Sequence, residues 1–220
     1  MKIFALHGFL GLPTDWDFIN PDEAIDVLLL SSPDQGMERW VARFNQHVAS
    51  HSVKASLLVG YSMGARLAMQ ALLARPALFK GAVFISGHTG LSSEKARALR
   101  RQGDQLWAQR FLAEPWEELI EAWNQQPVFR QTSAPIRNEA CFSRELLADA
   151  LCHFSLGLQA DLREALSACP VPQLFLRGAE DPTNQSIETQ RLIPRAGHRL
   201  LSDCPEELAN HIKEFALRVP

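Results

Sequence analysis

The sequence has no basic surplus, no membrane-length apolar run and few cysteines. Its formal net charge is −3. Binding a nucleic-acid backbone needs an excess of lysine and arginine, so no nucleic-acid partner is expected. A small acidic substrate stays open, because a few local arginines serve that purpose without changing the total. No apolar stretch approaches the ~20 residues that span a bilayer, and no membrane partner is expected. The opening Met1-Lys2-Ile3-Phe4-Ala5-Leu6 is apolar but too short for a signal peptide with its cleavage site. The four cysteines (Cys141, Cys152, Cys169 and Cys204) form no C-x-x-C pair and lie beside no histidine at zinc-ligand spacing. They read as reduced residues of a cytoplasmic protein, with no metal and no cofactor expected. Internal repeats and low-complexity segments are also missing.

What is present is material for a core. Hydrophobic residues make up 46% of the 220, and charged residues, at 21%, are too few for a disordered chain. The length suits one domain with room for an inserted subdomain. Short apolar runs at 3–6, 24–30, 56–59, 82–86, 173–177 and 191–193 read as strands buried on both faces, as in a parallel sheet. Amphipathic stretches at 36–50, 63–74 and 206–219 read as helices between them, the second stopping before Pro76. Strands alternating with helices predict an α/β fold, a six-stranded, mostly parallel sheet flanked by helices. Residues 89–163 break that rhythm. No strand is expected there, only helices at 92–111, 115–125 and 144–156 around a loop at 127–135. The predicted organisation is a core of residues 1–88 and 164–220 with a helical cap, 89–163, inserted into it.

Gly60-Tyr61-Ser62-Met63-Gly64 lies between the apolar run ending at Val59 and an alanine- and leucine-rich helix. This is G-x-S-x-G in the strand–turn–helix setting that gives it meaning. The turn is so tight that its serine is strained, and the two glycines leave room for neighbouring backbone. Ser62 then stands at the carboxyl end of a strand, facing a helix N-terminus. The pattern resembles the nucleophile elbow of α/β-hydrolases.

A serine hydroxyl needs an imidazole to take its proton. In this fold the acid and the histidine follow the serine in chain order. The strand at 173–177 leads to Glu180 and Asp181, with Asp181 favoured because it lies four residues past the strand. The run 191–193 leads to Gly197-His198, and His198 is the expected base. Of the other six histidines, His47, His51 and His211 read as solvent-facing, His153 as a cap residue and His88 as a candidate substrate contact at a strand end. His7 reads as a structural hydrogen-bonder in its loop. An oxyanion hole needs two backbone N–H groups. Met63 supplies one, and Phe9, in His7-Gly8-Phe9-Leu10-Gly11, the other.

These segments together resemble the 2-succinyl-6-hydroxy-2,4-cyclohexadiene-1-carboxylate synthases of menaquinone biosynthesis. The resemblance rests on the His7–Gly11 loop, the elbow with Arg66, Gly197-His198, and above all the cap. There it covers Ser86-Gly87-His88-Thr89-Gly90-Leu91, Arg97, Arg100, Asp104, Trp107, Arg110-Phe111-Leu112, Pro115, Trp123, Gln125-Gln126-Pro127-Val128-Phe129 and 155–163. It implies a lyase that eliminates pyruvate from a small tricarboxylate, 2-succinyl-5-enolpyruvyl-6-hydroxy-3-cyclohexene-1-carboxylate, with Ser62 as base. It implies substrate contacts from Arg66, Arg100, Tyr61 and Trp123, the last with Phe129 equally suited to core packing. A third arginine falls on Arg144 or Arg137. A monomer or small homo-oligomer is expected. Two departures stand out: the chain opens directly on the strand before His7, and 30–36 lacks the D-x-P-G-x-G turn of many relatives. The alternative is a carboxylesterase or thioesterase with the same triad.

Overall fold

Six short strands carry side chains that alternate between two buried faces, and each face needs its own cover of helices. The computed structural model describes residues 1–30, 35–130, 132–183 and 190–219. The strands are β1 (Ile3–Leu6), β2 (Glu23–Ile25), β3 (Ser56–Tyr61), β4 (Phe79–Ile85), β5 (Gln173–Gly178) and β6 (Gln190–Ile193). All neighbours pair in parallel, in the order β2-β1-β3-β4-β5-β6. Phe4, Leu6, Leu58, Phe84 and Phe175 point to one face, where α1 (Gly36–His51) and α2 (Met63–Ala74) cover them. Ala5, Leu57, Val59, Val83 and Leu174 point to the other, against Leu208 and Ile212 of α8 (Pro205–Arg218).

The order places the site. From β1 the chain steps outward to β2, returns past β1 to β3, and then proceeds the other way. The sheet therefore has its topological switch between β1 and β3, where a crevice opens beyond the strands' carboxyl ends. Leu6 pairs with Gly60, so the loops after β1 and β3 emerge side by side.

Between β4 and β5 the chain forms α3 (Glu94–Ala113), α4 (Trp116–Asn124) and α5 (Arg144–His153), with no strand among the described residues, followed by the short α6 (Arg163–Ala168). Buried Phe111, Leu119, Trp123, Leu147 and Phe154 from this stretch join the same apolar cluster as Phe4 and Leu58. These helices thus share a core with one face of the sheet.

Expectation and structure differ at several places for local reasons. The run at 24–30 is strand only to Ile25. The Asp26 carboxylate accepts the N–H groups of Leu28 (2.9 Å) and Leu29 (3.3 Å), which turns the chain and exposes Leu29. α5 stops at His153, not at 156, because Ser155 turns away to donate to Asp104 at 2.7 Å. α6 and α7 (Leu200–Asp203) are one-turn or two-turn helices, too short for a periodic signal. Most of the 30–36 loop lies outside the described residues. No helix among them is long and apolar enough to cross a membrane.

Candidate active site

Ser62 joins β3 to α2 with φ 52° and ψ −112°, a conformation that L-residues rarely adopt. Its N–H is held by the carbonyl of Ile85 at 2.8 Å. The turn depends on flanking glycine. A Cβ on Gly64 would lie 2.3 Å from the carbonyl oxygen of Leu6, and one on Gly60 would lie 2.6 Å from the carbonyl oxygen of Gly64.

The loops after β5 and β6 bring the partners to that turn. Ser62 Oγ is 3.0 Å from His198 Nε2, and His198 Nδ1 is 2.8 Å from Asp181 Oδ2. A carboxylate can only accept, so Nδ1 carries a proton and Nε2 is free to accept from the serine. The other carboxylate oxygen, Oδ1, accepts from Thr183 N–H (2.9 Å) and Thr183 Oγ1 (2.5 Å). Burial pushes the Asp181 carboxyl up, but the bond and charge of His198 and the Thr183 donors outweigh it and hold the carboxyl below its usual range. Glu180 is exposed. Ser86, also at a positive φ (47°), donates its hydroxyl to the His198 carbonyl at 2.8 Å and fixes that loop.

The N–H groups of Phe9 and Met63 have no acceptor among the described residues, and both residues line the cavity above Ser62. His7 is buried. Its Nδ1 donates to the Gly8 carbonyl at 2.8 Å, and its Nε2 accepts from Val27 N–H at 3.0 Å, so it shapes the loop.

The cavity, of about 680 Å³, is walled by both the sheet loops and α3–α5. Its apolar side is a ring cluster. Trp123 packs on Phe9 (4.8 Å between centroids), Trp107 (4.9 Å) and Phe111 (5.5 Å), and Phe129 stands 5.8 Å from His198. Tyr61 lines it too, its hydroxyl pushed well up by burial.

Its polar side is cationic. Arg66, Arg100, Arg137 and Arg199 line the cavity, against Asp15 and Asp104. Asp104 is spent on Arg100, whose Nε it accepts at 2.8 and 2.9 Å, and Asp15 on Arg137 at 2.7 Å. Arg66 and Arg199 are 7% and 8% exposed and have no carboxylate partner among the described residues. Arg66 donates to the Phe154 carbonyl left free by the end of α5 (2.7 Å) and to Gln159 (3.3 Å). Burial, then repulsion from Arg100, bring its pKa down to about 9, so it stays charged at neutral pH. Arg199 stacks on Phe129 at 4.0 Å and donates to Asn124. His88 also lines the cavity. Burial and then the charges of Arg66 and Arg100 lower its pKa to about 4, and its Nδ1 accepts from Gly90 N–H. His153 does not line the cavity.

Arg144 is a correction. It was expected against substrate, but it faces away from the cavity. Its guanidinium is taken up by the carbonyls of Phe111 (3.0 Å) and Glu114 (2.7 Å) at the end of α3 and by Glu139. It ties α5 to α3, as a cation at a helix C-terminus does.

The model of the alpha/beta hydrolase family matches residues 3–211. The chain is 33% identical to 2-succinyl-6-hydroxy-2,4-cyclohexadiene-1-carboxylate synthase of Salmonella paratyphi C, over 97% of this chain and 93% of the relative. The chain belongs to this synthase family of α/β-hydrolases. It is 32% identical, over the same shares, to the synthase of Salmonella heidelberg. Among solved structures, MenH from S. aureus superposes with a TM-score of 0.80 at 20% identity, covering 98% of this chain and 93% of that one. A thermophilic esterase from Thermogutta terrifontis superposes at 0.68 with 21% identity, over 100% and 90%. Likeness at that identity speaks to the fold alone. As a member of the synthase family the chain is an enzyme of the α/β-hydrolase superfamily. Thr183, which holds Asp181, and Arg199, a cavity cation, are not among the residues expected from sequence. Both follow a named residue closely, Thr183 two after Asp181 and Arg199 one after His198. That adjacency was the available signal.

Proposed function

We propose that this chain is a synthase of menaquinone biosynthesis, eliminating pyruvate from 2-succinyl-5-enolpyruvyl-6-hydroxy-3-cyclohexene-1-carboxylate. One observation carries the reading. Two buried guanidiniums, Arg66 and Arg199, have no carboxylate partner among the described residues and flank the Ser62–His198–Asp181 hydrogen-bond chain. A buried cation with only neutral acceptors is costly unless an anion binds there. The substrate brings three carboxylates, and Arg66, Arg199 and Arg100, which meets Asp104 through its Nε, suit them. An uncharged ester would leave those cations unpaired.

In this reading Ser62 passes its proton to His198 Nε2, and the alkoxide removes the ring proton beside the succinyl ketone. The electron pair of that C–H bond forms a ring double bond. The existing double bond shifts by one position, and the bond from the ring carbon to the enolpyruvyl oxygen breaks. Enolpyruvate leaves, takes a proton at carbon and becomes pyruvate. Charge that gathers on the ketone oxygen is met by the N–H groups of Phe9 and Met63. Asp181 holds the imidazole tautomer and its positive form. Tyr61 and Trp123 wall the ring, and residues 89–163 act as the cap over a core of 1–88 and 164–220. No acyl-enzyme forms, and no cofactor enters a step.

Purified protein given this substrate, with lactate dehydrogenase reporting pyruvate, tests the proposal. Pyruvate should appear in a one-to-one ratio with the cyclohexadiene product. Ser62→Ala and His198→Ala should each lower turnover by at least ~10³-fold, the two acting as a unit. Rapid hydrolysis of p-nitrophenyl esters without pyruvate release would sink it in favour of an esterase or thioesterase.

A further inference from the structure

At the β2 edge of the sheet, the first residue of β2 meets the last turns of α1. The meeting residues are Glu23, His47 and His51. The spacing His47-x-x-x-His51 stacks two imidazoles on one helix face. Their rings lie 4.0 Å apart and 26° from parallel. Glu23 reaches in from the strand, its Oε2 2.6 Å from His47 Nε2. One ligand-capable atom from each of the three residues falls within 4.8 Å of the other two.

A second observation concerns the lone pair. His51 Nδ1 is 2.9 Å from the carbonyl oxygen of His47 and 3.0 Å from Ser50 Oγ, whose hydroxyl donates to that same carbonyl at 2.8 Å. A carbonyl only accepts, so Nδ1 carries the proton and the neutral ring keeps its lone pair on Nε2. A backbone carbonyl that anchors one ring nitrogen while the other stays free is how metal-binding histidines are held. His51 is exposed, so that nitrogen is open to solvent. The His47 ring also packs T-shaped against Phe4, 6.3 Å between centroids.

We propose that Glu23, His47 and His51 bind one divalent transition-metal ion of the zinc class. Two imidazole nitrogens and one carboxylate oxygen are the ligand set such ions take, with water in the fourth position. The ion displaces the proton shared by His47 and Glu23. None of the three lines the cavity, so the ion serves structure. It links the three-residue edge strand β2 to α1 beyond the hydrogen bond between His47 and Glu23.

The test uses the full chain, freed of metal by chelation, and titrates it with Co²⁺ as a visible probe. One Co²⁺ should bind per chain, giving d–d bands without a thiolate charge-transfer band, and Zn²⁺ should displace it. Saturating Zn²⁺ should raise the melting temperature by roughly 3 °C. His51→Ala should weaken Co²⁺ binding at least ~10-fold and abolish the Zn²⁺-dependent rise, since a structural site loses most of its affinity with one ligand. Glu23→Gln is the second variant and should weaken binding in the same direction. Unsaturable binding, a thiolate band, or wild-type affinity in both variants would overturn the site.

Discussion

Asp181 keeps its charge because three donors point at it: His198 Nδ1 and both the N–H and the hydroxyl of Thr183. The Thr183 hydroxyl donates its proton to Asp181, so its effect runs through the orientation of the imidazole. Thr183→Val removes one of the three donors. It should lower kcat about tenfold, the order of one hydrogen bond to a charged group, while KM holds. The Asp181 carboxyl should titrate higher in the variant, and Thr183→Ser should restore both. A fall in kcat that serine does not rescue would mean that the valine had disturbed packing instead. His88 makes a different prediction, about stability. Its pKa is lowered from 6.5 to about 4, by burial and then by the charges of Arg66 and Arg100. Between those two values the unfolded chain takes up the proton and the folded one does not, so stability rises with pH across that window and is lost as pH falls through it. Melting temperatures from pH 7 to 4 should show this fall, and His88→Gln should flatten it. The Asp181 contribution acts lower, below its unfolded pKa near 3.8, where the folded carboxylate still resists protonation. The two windows separate the groups.

Elements this short hold their geometry by close backbone approach. α2 starts beneath the β1 loop with the Gly64 Cα facing the Leu6 carbonyl oxygen, where a Cβ would come to 2.3 Å. Gly64→Ala should therefore cost ~2–3 kcal/mol, seen as a drop of about 4–12 °C in melting temperature. It should also reduce turnover, because Met63 N–H and Ser62 ride on the same turn. A fully stable, active Gly64→Ala would show that β1 can yield, and that the elbow's tightness is incidental. This element was legible in the sequence because its chemistry is local: an apolar strand, two glycines and a helix former in fixed order. The same holds for β1, β3 and α2, each bounded by glycine or proline. β2 was read too long because an apolar run says nothing of the Asp26 side chain that turns it. α6 and α7 fell below the length at which periodicity speaks. The His47–His51 pair was visible as spacing but read as solvent-facing, since the Glu23 that meets it lies 24 residues away on another element.

Across the whole molecule the net charge is −3, yet among the described residues the cavity is lined by four arginines against two aspartates. The sequence could suggest arginines near the serine but not which way each one turns. Arg66, one turn past Ser62, is constrained by the elbow, and it reaches the cavity. Arg144 lies beyond an irregular stretch where register is lost, and it caps α3 instead. Arg199 entered because the loop after β6 folds its side chain onto Phe129, a tertiary contact with no local signature. The resulting separation of charge, negative outside and positive within, bears on how an anionic substrate arrives. A cationic cleft in a low-dielectric wall attracts anions over a distance set by salt. Raising salt from 0.1 M, with a Debye length of ~10 Å, to 1 M, with ~3 Å, should lower kcat/KM for the tricarboxylate about tenfold. The far-UV spectrum and the metal-free melting temperature should hardly change over the same range. Arg199→Gln, with one cavity cation fewer, should show a shallower dependence and a higher KM. If kcat/KM proved indifferent to salt in both proteins, the unpaired guanidiniums would be serving the fold, and the anionic substrate would lose its main physical support.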